Sequence, residues 1–373
     1  MSKKNLFIAV SLIVFLNIIY LGYKYYEQQR REKNYEKRNL IMEREPRIGV
    51  IGSGSWATAI VRLLLNNSEK INWYIRRNEI LTHIKTHGHN PQYLTSLALP
   101  AEKINFFNDI NKAVENSDLL IFAIPSAFLH DSLKNLKISL KDKIIFSAIK
   151  GIIPHENIGI ADYFIQHYQV PIASIGIIAG PCHAEEIALE RLSYLTLGSQ
   201  NQHTASILAE KMECRFLKTR FTKDIYGTEY AAVLKNIFAI AAGICVGLGY
   251  GDNFQAVLVS NCIREMKRFL DKTIPGAKLK INNSAYLGDL LVTAYSQFSR
   301  NRTFGAMIGK GYSVKSAMME MNMIAEGYYA TACIHEMNKK FQVNMPIVDA
   351  VYNILYEKIS PAMEIKLLTG KLK

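Results

Sequence analysis

The chain has 373 residues, of which 49% are hydrophobic and 21% charged, and a formal net charge of +13. That balance belongs to a folded protein long enough for two cores and excludes a disordered or fibrous chain. Beyond Pro46 no block of like charges and no zinc-finger or RNA-recognition pattern occurs, so nucleic acid is not expected as a partner; anionic substrates and a phosphorylated cofactor suit a diffuse positive field.

Leu6 to Tyr23 is an apolar run broken only by small polar residues, among them Ser11 and Asn17, just long enough to cross a bilayer. No small-residue cleavage site follows it, so a retained anchor is expected. Lys3 and Lys4 precede the run, whereas Lys24, Arg30, Arg31, Lys33, Lys37 and Arg38 follow it. That asymmetry places the rest of the chain in the cytoplasm, tethered to the cytoplasmic face of the inner membrane. Residues 1–45 are thus read as anchor and charged tether; initiation at Met42 would remove both. Cys182, Cys214, Cys245, Cys262 and Cys333 are scattered without paired spacing and read as reduced thiols, with no disulfide and no metal expected.

From Arg47 strands and helices alternate. Strands are predicted at 47–51, 71–75, 119–123, 143–147, 172–179, 193–197 and 215–217, with helices at 57–65, 111–115, 127–136, 156–167, 183–189 and 204–212. This is the pattern of a doubly wound parallel sheet whose ligand crevice opens at the carboxyl ends of its strands. After Thr228 strand-like runs give way to long helical patterns at 229–246, 253–270, 284–298, 313–319, 325–341 and 346–356. The expected organisation is an α/β, Rossmann-type domain over 46–228 followed by an all-helical substrate domain over 229–373.

Gly52-Ser53-Gly54-Ser55-Trp56-Ala57 follows a predicted strand and opens a predicted helix. In that setting Gly52 allows the tight turn, Gly54 lets the backbone approach a pyrophosphate, and Ala57 permits close packing of helix on sheet. Arg76 and Arg77 end the second strand, where an acid would hold an adenosine ribose; arginine there suits a 2′-phosphate, which favours NADPH over NADH. Lys150-Gly151 sits just past a strand, where the ammonium can meet a phosphate or carbonyl oxygen. His183 lies in a turn entering a helix and is read as structural ahead of catalytic. Lys235 stands in an otherwise apolar helix, where burial would lower its pKa toward the working range of a general acid, the alternative being a snorkelling side chain. Asp289 and Thr293, four apart, share a helical face; Asp289 can orient Lys235 and Thr293 can bond a substrate hydroxyl. Ser299-Arg300-Asn301 follows at a turn, with an arginine fork suited to phosphate.

Taken together, the glycine turn, Lys150-Gly151, Lys235-Asn236 in an alanine-rich helix, Gly288-Asp289-Leu290 with Thr293, and Ser299-Arg300-Asn301-Arg302 resemble the bacterial NAD(P)-dependent glycerol-3-phosphate dehydrogenases. The likeness runs from Arg47 to the last helices. It implies reversible reduction of dihydroxyacetone phosphate to sn-glycerol 3-phosphate for glycerophospholipid synthesis, with NADPH or NADH. By this resemblance Lys235 exchanges the proton at the C2 oxygen, and Lys150, Asp289, Ser299, Arg300 and Asn301 line the substrate site with the backbone of Gly180 and the side chain of Cys182. Ser55, Trp56, Arg76 or Arg77, Lys150, Ala184, Arg300, and Glu326 within the Ile324-Ala325-Glu326-Gly327 segment would meet the cofactor. Cys182 departs from the family's Ser or Thr, Ala57 from its Gly, and the N-terminal run lies outside the family pattern. Two other readings stand beside this one: a related dehydrogenase acting on a hydroxy acid, and a catalytically inactive, membrane-tethered nucleotide sensor. The apolar helices after Glu229 offer surface for a homodimer.

Overall fold

The computed structural model describes residues 16, 20–26, 29, 45–276, 279–321 and 325–373. The expected anchor over 6–23 and the Ile324 assignment fall wholly or largely outside these residues. Two compact units are present, Met1–Pro46 and Arg47–Lys373; of the first, residues 20–26 are helical and exposed.

Eight strands form one sheet: β1 Ile48–Ile51, β2 Ile71–Tyr74, β3 Ile104–Phe107, β4 Leu119–Phe122, β5 Ile144–Ser147, β6 Ile175–Ala179, β7 Ser193–Ser199 and β8 Leu217–Thr222. Their order is β3-β2-β1-β4-β5-β6-β7-β8. β1, β2, β4, β5 and β6 are buried along their whole length, as continuous apolar runs covered on both faces by helices must be. The first six strands are parallel, with Val50 opposite both Trp73 and Ile121. β7 departs from the expected all-parallel sheet by running antiparallel to β6, while β8 is parallel to β7. Gly180 turns the chain at the end of β6 with φ +115°, and the connection over 180–192, which includes the helix Ala184–Ala188, brings the chain back beside β6 in the opposite direction.

The helices of this half are α1 Ser55–Leu64, α2 Asn78–His87, α3 Ile110–Glu115, α4 Leu129–Leu133, α5 Ile160–Tyr168, α6 Ala184–Ala188 and α7 Gln202–Met212. The helical half contains α8 Ile225–Gly247, α9 Asp252–Thr273, α10 Asp289–Tyr295, α11 Arg300–Gly309, α12 Val314–Glu320, α13 Glu326–Phe341, α14 Pro346–Leu355 and α15 Pro361–Thr369. β3, α2, α11 and α15 were not expected from the sequence, and the helix expected over 284–298 is a π turn at Ser284–Gly288 that runs into α10.

α8 is the axis of the helical half. It is long and apolar enough to cross a membrane, yet its apolar window is 89% buried inside the fold, which identifies a core helix of the kind that is hydrophobic on every side. α11 crosses it through two glycine pairs four residues apart. A Cβ at Gly243 or Gly247 would come within 2.0 Å of the Arg302 carbonyl oxygen or 2.4 Å of that of Ala306; one at Gly305 or Gly309 would meet the Ile240 or Ile244 oxygen at 2.1 or 2.3 Å. Backbone lies on backbone here, so only glycine fits, and the helices that carry Lys235 and Arg300 are held at a fixed separation.

Candidate active site

The turn from β1 into α1 lies at the reversal of strand order between β1 and β4, the crevice where open α/β sheets take ligands. Gly52 has φ +125°, and a Cβ on it would meet the Ala123 carbonyl oxygen at 2.5 Å. A Cβ on Gly54 would meet nothing within 4 Å, so protein packing does not demand glycine at that position, and the open space lies in the crevice. Asn90, fully buried, donates to the Ser53 carbonyl at 3.1 Å and to Thr58 Oγ1 at 2.9 Å, which fixes the turn from its other side. A cavity of about 520 Å³ runs from this turn past Tyr74, Arg76, Arg77 and Tyr93 on one wall and Arg300 and Glu326 on the other. Arg77 Nη2 donates to Gln92 Oε1 at 2.5 Å. An elongated cleft with phosphate-approachable backbone at its centre and arginines at one end fits a dinucleotide.

A smaller cavity of about 170 Å³ continues from the same turn, lined by Trp56, Lys150, Cys182, His183, Lys235 and Asp289 with Thr293, Ser299 and Asn301 around them. α8 delivers Lys235, 4% exposed, to its floor, and the start of α10 delivers Asp289, 1% exposed. Lys235 Nζ donates to Asp289 Oδ1 and, at 3.0 Å, to Thr293 Oγ1. The Thr293 hydroxyl in turn donates to the Asp289 carbonyl at 2.6 Å. Its proton is therefore engaged within the helix, and its oxygen serves the lysine.

Burial lowers the Lys235 ammonium to about 8; Asp289 opposes this and the nearby Lys150 adds to it. Burial wins because one carboxylate does not replace a hydration shell. Lys150 reaches the cavity because Gly151 packs on Ser126, where a Cβ would stand 2.2 Å from the hydroxyl oxygen. Its carbonyl accepts from Asn236 Nδ2 at 2.9 Å and its ammonium lies 5.5 Å from the centre of the Trp56 ring. Arg300 Nη2 donates to Ser55 Oγ at 2.8 Å, joining α11 to the glycine turn. Ser299 caps α11 by accepting from the Arg302 N–H, and Asn301 Oδ1 accepts from Gly327 N–H at 2.9 Å. Burial raises the Glu326 carboxyl, with Arg300 and Lys150 pulling it back.

Three buried polar atoms of the small cavity have no hydrogen-bond partner among the described residues: Trp56 Nε1, His183 Nε2 and Asp289 Oδ2. Unsatisfied groups of this kind are rare in interiors and fit a site made for a polar ligand. Burial takes His183 down to about 4, with Lys235 and Lys150 contributing, and pushes the Cys182 thiol up to about 12. His183 is thus a neutral ring and Cys182 a neutral thiol at physiological pH.

Of the residues expected from the sequence, the structure brings together Gly52, Gly54, Ser55, Arg76, Arg77, Arg300 and Glu326 around the large cavity. It gathers Trp56, Lys150, Cys182, Ala184, Lys235, Asp289, Thr293, Ser299 and Asn301 around the small one. Gly180 is buried and turns the chain toward Cys182 without lining either cavity. Tyr74, Tyr93, Ser126 and Asn90 were not singled out; Asn90 holds the glycine turn through contacts 32 and 37 residues away, which no local pattern reveals.

A doubly wound sheet with a glycine turn at its switch point, closed by helices that present a buried lysine and a phosphate-type arginine, defines a dinucleotide-dependent dehydrogenase. Residues 47–205 match the family model for the NAD-dependent glycerol-3-phosphate dehydrogenase N-terminus and residues 224–366 that for its C-terminus. The glycerol-3-phosphate dehydrogenase [NAD(P)+] of Clostridium botulinum (strain Eklund 17B / Type B) is 33% identical over 321 residues, spanning 86% of this chain and 96% of that one. That of Agathobacter rectalis is 34% identical over 85% and 94% of the two chains. The crystal structure of glycerol-3-phosphate dehydrogenase from Coxiella burnetii superposes with a TM-score of 0.80 at 27% identity, covering 87% and 99%. The chain belongs to the NAD-dependent glycerol-3-phosphate dehydrogenase family.

Proposed function

We propose that the protein reduces dihydroxyacetone phosphate to sn-glycerol 3-phosphate, reversibly, with a nicotinamide dinucleotide, and so feeds glycerophospholipid synthesis. The observation that carries this reading is the Lys235–Asp289–Thr293 cluster on the floor of a small cationic cavity that opens into a dinucleotide-sized cleft. The nicotinamide cofactor supplies the hydride for C2. Lys235, lowered to about 8, donates a proton to the C2 oxygen during reduction and takes it back during oxidation. Asp289 orients the ammonium and Thr293 holds it from the other side. Arg300 and Asn301 at the start of α11 hold the phosphate, and that remote grip fixes the carbonyl against Lys235. Lys150 stabilises the negative charge that grows on the oxygen. Ser299 sets the first turn of α11, and Cys182, reached through the Gly180 turn, contributes a weak thiol contact.

In the cleft, Gly52, Gly54, Ser55 and Trp56 would receive the pyrophosphate and Ala184, Glu326 and the Ile324 segment the nicotinamide side. Arg76 would take a 2′-phosphate, because Arg77 is engaged with Gln92; this supports a preference for NADPH. The reading also includes a nucleotide-binding domain over 46–228, a helical catalytic domain over 229–373, a homodimer through the exposed side of α10 with Leu291 and Tyr295, and a tether through 6–23.

The hydroxy-acid alternative rests on a likeness to D-mandelate dehydrogenase at a TM-score of 0.54 and 17% identity, which concerns the fold alone. An inactive sensor would have no use for the retained Lys235, Asp289 and Arg300. The test follows NADPH and NADH absorbance with the purified full chain. Oxidation with dihydroxyacetone phosphate and none with 2-oxo acids supports the proposal; turnover only with 2-oxo acids, or with neither in a protein that binds nucleotide, overturns it.

A further inference from the structure

Outside the site, three imidazoles gather where α2 ends. His83 and His87 are one turn apart on α2, and His89 follows the left-handed Gly88 that stops the helix. The His83 ring centre lies 4.4 Å from that of His87 and 4.8 Å from that of His89, and His83 Nε2 faces His89 Nε2 at 3.5 Å. We propose that His83 and His89, with His87 closing in from the exposed side, form a binding site for a divalent transition ion of the zinc class.

The distance discriminates between geometries. Two imidazole nitrogens bound tetrahedrally to zinc at about 2.0–2.1 Å stand about 3.4 Å apart, whereas a right-angled pair stands about 2.9 Å apart. The observed 3.5 Å matches the tetrahedral edge. The other nitrogen of His89, Nδ1, contacts the Asn90 carbonyl at 3.4 Å. A carbonyl only accepts, so it assigns the proton to Nδ1 and leaves Nε2 as a bare lone pair directed at His83, the outer-shell arrangement by which proteins prepare ligating histidines. Imidazole donors suit zinc, copper and nickel and not magnesium or calcium.

Among the described residues no group of three or more His, Cys, Asp or Glu side chains is placed to hold a metal ion. The site is therefore a preformed pair; His87 must turn by a rotamer to join it, and Glu79, one turn before His83 on the same face of α2, adds negative charge along that face. The half-exposed position leaves room for water as the remaining ligand. A bound ion would clasp α2 to the 88–93 segment, whose Asn90 holds the glycine turn and whose Gln92 engages Arg77.

The test uses tag-free full-length protein dialysed against Zn²⁺, with metal content measured after dialysis and affinity by titration; Co²⁺ substitution reports geometry through its visible spectrum. Wild type is expected to hold one Zn²⁺ per chain with a tetrahedral Co²⁺ spectrum. His83→Ala and His89→Ala should each weaken binding at least tenfold, and the double variant should abolish it with the unfolding temperature in chelator unchanged. Absence of uptake by wild type, or equal uptake by the double variant through other groups such as Cys214, overturns the proposal. If the alanine variants unfold, His83→Gln with His89→Gln gives the same comparison. The readout is metal content and is independent of the dehydrogenase reading.

Discussion

Gly305→Ala puts one methyl group where α11 crosses α8. Its Cβ would stand 2.1 Å from the Ile240 carbonyl oxygen, inside the 3.0 Å that real contacts respect, so the helices must part by about 1 Å. Neither partner can yield cheaply, since the obstacle is main chain on the opposite helix. Overpacking of this severity costs about 3 kcal/mol, at the upper end of its range, and alanine's better helix propensity returns about 1 kcal/mol. The net of about 2 kcal/mol corresponds, for a chain of this length, to a fall in unfolding temperature of roughly 3 °C. The functional effect is larger, because α11 carries Arg300 and Asn301 and α8 carries Lys235. A misplacement of about 1 Å between a substrate handle and a catalytic group costs roughly 100-fold in kcat/KM. Thermal unfolding and steady-state reduction of dihydroxyacetone phosphate measure the two effects. Gly251→Ala is the control, since a Cβ there meets nothing within 4 Å. A Gly305→Ala protein with wild-type melting and wild-type kcat/KM would refute the claim that the glycine pairs set the spacing of the site.

Three further outcomes follow from particular contacts. Reduction requires the ammonium form of Lys235, so its rate should fall as pH rises through about 8; Asp289→Asn removes the group that raises that pKa, and its activity profile should break at lower pH as well as lower amplitude. Arg76→Ala should raise the KM for NADPH by roughly 10–100-fold, the worth of a charge-assisted hydrogen bond, and leave NADH within about twofold; equal effects on both would assign the contact elsewhere. Glu229 of α8, fully buried, reaches the start of α5 with Oε1 accepting from Ala161 N–H at 3.0 Å, and burial raises it to about 8. A carboxyl raised on folding gives stability that is present below its unfolded pKa and lost as pH climbs through the folded one. Wild type should therefore lose melting temperature between pH 5 and 8 more steeply than Glu229→Gln; parallel slopes would exclude Glu229 as the titrating group.

Much of the sheet was legible because β1, β2, β4 and β5 are short apolar runs bounded by turn residues, and burial on both faces leaves no other use for such runs. β3 was not, because it is an edge strand that pairs on one side only and is buried at Ile104 alone. The reversed direction of β7 has no sequence signature, since alternation marks a strand without giving its direction. Only Ser299-Arg300-Asn301 was placed, at a turn, and the helix α11 that follows was not expected; its Gly305 and Gly309 lower helix propensity, yet those glycines are what the crossing with α8 requires. In the site, Lys235 stood out as a lone charge in an apolar helix, and Asp289 and Thr293 shared a face by spacing alone. The use of the Thr293 hydroxyl was hidden, because its proton goes to the Asp289 carbonyl and its oxygen to the lysine. So were the clasp between Arg300 and Ser55, 245 residues apart, and the grip of Asn301 on Gly327. These are products of tertiary packing, which local periodicity does not encode.

The central claim is that Lys235 is the proton donor in a site that binds cofactor independently of it. It is tested most directly by Lys235→Met, measured for NADPH binding by fluorescence and for NADPH oxidation with dihydroxyacetone phosphate in a single turnover. The account predicts nucleotide affinity within about threefold of wild type and a rate reduced by at least about 100-fold, the scale of general acid catalysis. Wild-type turnover in that variant would contradict it.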